Sequence, residues 1–165
     1  MSQEKNKVEW CLKKALREID EKGRHRGLIR VLPNKAKAKR HIEKAEHYLE
    51  ATLFLKENFL DISASTLFYS IYHSLLAILS KFGYESGNQE CTFALIYSFI
   101  EDKKISIDKD LIDKISSINS EEKSVIELRE KYQYGVELSM KEELFNENFE
   151  LAKKVIGTTK VIIEE

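Results

Sequence analysis

The chain has 165 residues, 42% of them hydrophobic, with one proline and six glycines. That length fits one domain with a real core, and the scarcity of Pro and Gly excludes a strand-and-turn protein. A net charge of −1 excludes a surface built throughout for nucleic acid.

Met1 to Trp10 is polar and lacks the apolar run of a secretory signal peptide, and no stretch looks apolar enough to span a membrane. A cytoplasmic protein is expected. Cys11 and Cys91 lie far apart with no CxxC and no histidine at ligand spacing, which predicts reduced, space-filling thiols and no zinc site.

The first helix is predicted over Lys5 to Glu21, with Val8, Leu12, Ala15, Leu16 and Ile19 at helical spacing and Gly23 as a left-handed cap. Gly23 to Asn34 reads as a connection, and Asn34 can cap a second helix whose stripe is Ala38, Ile42, Ala45, Leu49 and Leu53. Asp61 or Ser63 is expected to cap a third helix ending at Gly83, apolar nearly all round and therefore buried on several sides or at a subunit contact. A fourth, from about Asn88 to Asp102, buries Phe93, Ile96, Phe99 and Ile100. Asp108 opens a short helix to Ile115, and Ser120 with Glu121 and Glu122 opens another reaching Tyr132, Tyr134 and Gly135. Ser139 to Glu142 has the pattern of a capping box before the last helix, where Phe145, Phe149, Ala152, Ile156, Thr159 and Ile163 share a face. Short links between long helices predict an all-α, up-and-down antiparallel bundle over 35–165, preceded by an N-terminal helix and basic connecting segment over 1–34.

Charge is unevenly spread. Lys22 to Ile42 contains eight positive charges (Lys22, Arg24, Arg26, Arg30, Lys35, Lys37, Lys39 and Arg40) and no acidic residue, leaving −9 on the rest of the chain. Arginines around a glycine-containing loop can contact successive phosphates, so Arg24, His25, Arg26 and Arg30 are candidate RNA- or nucleotide-binding residues. A solvated surface, or a patch for an acidic protein partner, is the plainer reading. His41 and His47 are six apart, the wrong spacing for two ligands on one helical face, so no metal is expected there. His73 sits mid-helix among Tyr69, Tyr72 and Leu76, either as a satisfied core histidine or in a polar seam. In ELREKYQYG, Glu127 to Gly135, Arg129 with Lys131, Tyr132 and Tyr134 makes a cationic, aromatic surface suited to a base or a phosphate, or a helix end packed on its neighbours.

The FYSIYHSLLAIL helix, Phe68 to Leu79, and the Arg129 segment resemble the HEPN family of small helical bundles, over roughly Lys37 to Lys160. The resemblance implies homodimers, pairing with a small nucleotidyltransferase and, in active members, metal-independent RNA cleavage by an arginine followed after four to six residues by a histidine. Here Tyr134 and Gly135 stand where that histidine would fall. Cleavage through the RNA 2′-hydroxyl needs a group that exchanges protons near neutral pH; histidine does so, tyrosine titrates near about 10, and arginine stays charged.

The leading expectation is therefore a HEPN-like, non-nuclease nucleotide- or RNA-binding protein, partner of a nucleotidyltransferase in a toxin–antitoxin-like pair, without cofactor or metal. One alternative is an atypical ribonuclease using Arg129 with His73 or Tyr134. Another is a structural dimer that docks a protein.

Overall fold

The computed structural model describes residues 1–116 and 124–165. In chain order the described elements are α1 (Gln3–Lys22), β1 (Leu28–Arg30), α2 (Lys35–Leu55), α3 (Leu60–Lys81), β2 (Tyr84–Ser86), α4 (Gln89–Glu101), α5 (Lys109–Ser116), α6 (Val125–Tyr134) and α7 (Glu142–Glu164). Among the described residues the protein is all-α apart from one two-stranded ribbon.

Local chemistry fixes most boundaries. Gly23 closes α1 in the left-handed region at φ 67°. Asn34 and Asn88 cap α2 and α4, each side-chain oxygen accepting a bond from the backbone N–H three residues on, at 2.8 and 2.9 Å. Two expected caps do not form. Helix α3 begins at Leu60 after Phe59 with no side-chain cap, because the Ser63 hydroxyl donates instead to the Leu60 carbonyl at 2.6 Å. The Ser139 pattern does not cap α7 either; Lys141 precedes that helix and the Ser139 carbonyl accepts from the Tyr132 hydroxyl. The true capping box is at α6, where the Ser124 hydroxyl accepts from Glu127 N–H and the Glu127 carboxylate from Ser124 N–H. The expected helix start at Ser120, Glu121 and Glu122 lies outside the described residues.

Helices α2 and α3 form the most extensive pairing. Their contacts run in opposite directions along the chain, Thr52 with Thr66, Tyr48 with Tyr69 and His41 with His73, so the two are antiparallel about the turn at 56–59. Helix α3 is the centre of the fold, packed against α2, α4, α6, α7 and β2. Leu67, Phe68, Ile71, Leu75, Ile78 and Leu79 from α3 meet Leu95, Ile96 and Phe99 from α4 and Ile112 and Ile115 from α5 in one core. By length and composition α3 could cross a bilayer, contrary to the sequence expectation, but 61% of that apolar window is buried inside the protein. Its apolar excess is thus largely covered by elements of the same chain. Buried Ser70 and Ser74 donate to the Leu67 and Ser70 carbonyls, which satisfies their hydroxyls without a partner from another element.

The connection from Gly23 to Asn34 contains structure that periodicity did not show. Leu28, Ile29 and Arg30 pair antiparallel with Ser86, Glu85 and Tyr84. The corner leading into β2 depends on Gly83, at φ 81°, where a Cβ would stand 2.6 Å from the Val31 carbonyl oxygen.

Helix α1 lies on α4 and is bonded to it covalently. Cys11 and Cys91 form a disulfide with Cα atoms 6.0 Å apart, a correction to the expected free thiols. Lys7 pairs with Glu90 at 3.0 Å and Lys5 with Asp102 along the same seam.

Candidate functional site

Arg129 projects from α6 onto α3. Its guanidinium carbon lies 4.4 Å from the centroid of the Phe68 ring, and the side chain is only 13% exposed. Polar satisfaction is thin. Nη2 donates to the Gln89 side-chain oxygen at a long 3.5 Å and stands 3.9 Å from the Glu130 carboxylate, while the buried Nε has no partner among the described residues.

The tyrosines near Arg129 separate. Tyr132 is buried with Ala64 and Leu128, its hydroxyl donating to the Ser139 carbonyl at 2.9 Å, so its ring is not presented for stacking. Tyr134 is 75% exposed. Arg129 and Tyr134, five residues apart on one helix, point about 140° away from each other.

His73 faces α2 instead. Its ring stacks on Tyr48 at 5.6 Å, and its Nδ1 lies 3.0 Å from Nδ1 of His41. At that separation one nitrogen carries the proton and the other accepts it. Phe68, which carries Arg129, and His73 are also five residues apart, so α3 places the arginine and the histidine on different faces.

The two histidines floor an open groove of about 530 Å³ whose rim carries Lys37, Arg40 and Lys44. These cations follow one another at spacings of three and four along α2, with His41 between them, and so form a stripe. Like charges at this spacing cost a helix roughly 0.2–0.5 kcal/mol per pair. Glu85, on β2, pairs with Lys37 at one edge. Lys44 lies over the Tyr48 ring at 5.2 Å.

Burial, then the neighbouring His73, Lys37 and Arg40, pushes His41 down from 6.5 to about 4; Glu85 opposes. Burial and then Lys44 lower His73 as well. Both rings are neutral near pH 7. The unfolded chain binds the proton more readily, so this contribution is complete above pH 6.5 and is lost as pH falls from 6.5 toward 4. Discounted for the solvent in the groove, the loss is on the order of 1–2 kcal/mol. Urea midpoints between pH 7 and 4.5 are expected to fall more in the wild type than in His41→Gln; parallel pH profiles would show that the pair carries no such dependence.

The basic connection behaves differently from the groove. The Arg26 N–H donates to the Glu18 carboxylate at 3.0 Å, His25 Nδ1 accepts from Gly27 N–H at 3.2 Å, and the Arg30 guanidinium stands 6.0 Å from the Tyr84 ring centroid. Lys35 and Lys39 both pair with Glu164, whereas no guanidinium of Arg24, Arg26 or Arg30 meets a carboxylate among the described residues. No group of three or more His, Cys, Asp or Glu is arranged to hold a metal among the described residues.

The groove residues His41 and Lys44 were not site candidates in the sequence, and Lys37 entered only as one charge of the basic stretch. The available signal was the α2–α3 hairpin itself: His41 and His73 lie nearly equal distances from its turn, which makes them level on antiparallel helices. No family model matches the chain, and no curated protein matches it in sequence.

Proposed function

We propose that the chain is a HEPN-like protein that binds nucleotide or RNA through phosphate contacts and does not cleave it. The observation that carries this reading is the separation of Arg129, over Phe68, from His73, held by His41 and Tyr48 on another face of α3. A cation to stabilise the phosphorane and a group to move the proton must meet at one phosphate, and within this chain they do not. Phosphate binding needs only the cations, which the Arg24 to Arg30 loop and the rim of the α2–α3 groove present. A homodimer and a nucleotidyltransferase partner belong to the same proposal and rest on the sequence resemblance, since the apolar middle of α3 is largely covered within the chain.

Purified protein, freed of contaminating nuclease and given single-stranded RNA with a metal chelator, is expected to leave it uncut. Losing general acid–base transfer removes a factor of about 10² to 10⁴. Binding is expected to weaken roughly tenfold or more between 50 and 200 mM salt if three phosphates are contacted, and Arg24, Arg26 and Arg30 to alanine should weaken it further. Metal-independent cutting that disappeared in Arg129→Ala, and in either His73→Ala or Tyr134→Phe, would replace this reading with the atypical ribonuclease.

A further inference from the structure

We propose that the α2–α3 groove is a site for a terminal phosphate, a phosphomonoester dianion, and that its binding delivers one proton to the His41–His73 pair. The inference rests on the phosphate-binding reading and assigns it a place and a ligand class. A volume of about 530 Å³ falls within the roughly 300–1,000 Å³ of small-molecule sites, enough for a mononucleotide or the end of a strand.

Three features point to a dianion. Lys37, Arg40 and Lys44 repel one another along one face of α2, a repulsion that an anion between them would relieve. Arg40 and Lys44 have no carboxylate partner among the described residues, while Lys35 and Lys39, on the other side of the same helix, are held by Glu164. Between the free cations lie two imidazoles whose Nδ1 atoms are 3.0 Å apart, so the floor of the groove consists of groups that can become donors. A phosphodiester carries one negative charge and would match this rim less well than a monoester with about −1.5 to −2.

The proton count follows from the contact between the rings. In the neutral pair one ring has its hydrogen on Nδ1, donated to the bare Nδ1 of the other; the first ring's Nε2 is then bare and the second's carries hydrogen. A buffer acid gives its proton to the bare Nε2 and is left as its conjugate base, no bond within the pair breaks, and both Nε2 atoms become donors while the Nδ1 bond is kept. A second proton would break that bond and place two cations in contact, so the pair takes one. The groups facing it are Lys37, Arg40, Lys44 and Tyr48 from α2 and Glu85 from β2, with Tyr69 of α3 against the Tyr48 ring. Apart from Glu85, already paired with Lys37, they supply no negative charge, so the incoming dianion is what makes protonation favourable.

The test uses the full chain and AMP, adenosine, and one RNA oligonucleotide with a 5′-phosphate or a 5′-hydroxyl. By calorimetry at pH 7.5, in two buffers of different ionisation enthalpy, AMP is expected to bind with uptake approaching one proton, and adenosine at least tenfold more weakly. Arg40→Gln and Lys44→Gln, both at exposed positions, are each expected to weaken AMP by roughly tenfold. In His41→Gln the uptake should disappear while weakened binding persists. Preference for 5′-phosphorylated RNA without AMP binding would make the strand end the ligand; AMP binding makes the free nucleotide sufficient, and either supports the site. Equal affinity for AMP and adenosine, indifference to Arg40→Gln and Lys44→Gln, or binding without proton uptake would overturn it. RNA binding that depends on Arg24, Arg26 and Arg30 but ignores the 5′-phosphate would remove the groove and leave the general reading standing. Failure to bind any of these probes would remove both.

Discussion

Replacing Cys11 and Cys91 together with alanine is expected to lower the stability of the protein by about 4 kcal/mol and its Tm by roughly 10 °C. The two cysteines are separated by 80 positions, and cross-linking so long a loop removes much of the freedom of the unfolded chain. Both side chains are buried, so small cavities add to the loss. Urea denaturation with and without reductant measures the effect, and alkylation after unfolding counts free thiols. Equal midpoints in the two conditions, with two cysteines alkylated, would show that the purified protein is not cross-linked. Disulfides are rare where thiols are kept reduced, so the bridge and the expectation of a cytoplasmic protein pull in opposite directions. Burial of both sulfurs limits access for an attacking thiolate.

A second large effect is expected at Phe99. The ring is 2% exposed and meets Phe82 at 5.0 Å and Tyr84 at 5.8 Å, linking α4 to the end of α3 and to β2. Phe99→Ala should cost about 3–5 kcal/mol, from lost transfer energy and the cavity left beneath the ribbon. Phe99→Leu, which keeps most of the volume, should cost far less. A loss below about 1 kcal/mol in urea denaturation would mean that the ribbon closes over the gap.

What the sequence made legible was set by interactions between near neighbours. Gly23, Asn34 and Asn88 act within one turn of the residues they cap, and the stripe Ala38, Ile42 and Ala45 is buried as its spacing required. Leu53, on the same predicted stripe, is half exposed, because its neighbour Thr52 takes the buried position against Thr66 of α3. Ser124 to Glu127 and Ser139 to Glu142 carry the same capping pattern; only the first becomes a box, since α7 starts at Glu142 with Lys141 as its cap and Ser139 stands two residues too early. The ribbon was invisible because three-residue strands have no measurable period, and the disulfide because nothing local marks two cysteines that meet through the packing of α1 on α4. Arg129 could be recognised as unusual for its position after a run of lysines, but its seat on Phe68 needed the angle between α6 and α3. The histidine pair lay hidden for a similar reason: each residue was weighed against neighbours on its own helix, whereas its partner is on the next.

The bridge between α1 and α4 also turns the chain from Cys11 to Cys91 into a covalent ring, with β1, α2, α3 and β2 wholly inside it and α5, α6 and α7 outside. Both walls of the histidine groove therefore belong to the closed portion. A protease that severs the α2–α3 turn would leave the two helices tethered through the sulfurs, giving a single species on a denaturing gel until a reductant divides it. The C-terminal helices have no such tether. Scission between α6 and α7 would leave α7 attached by packing alone, so the groove sits in the part of the molecule that survives a nick in one piece.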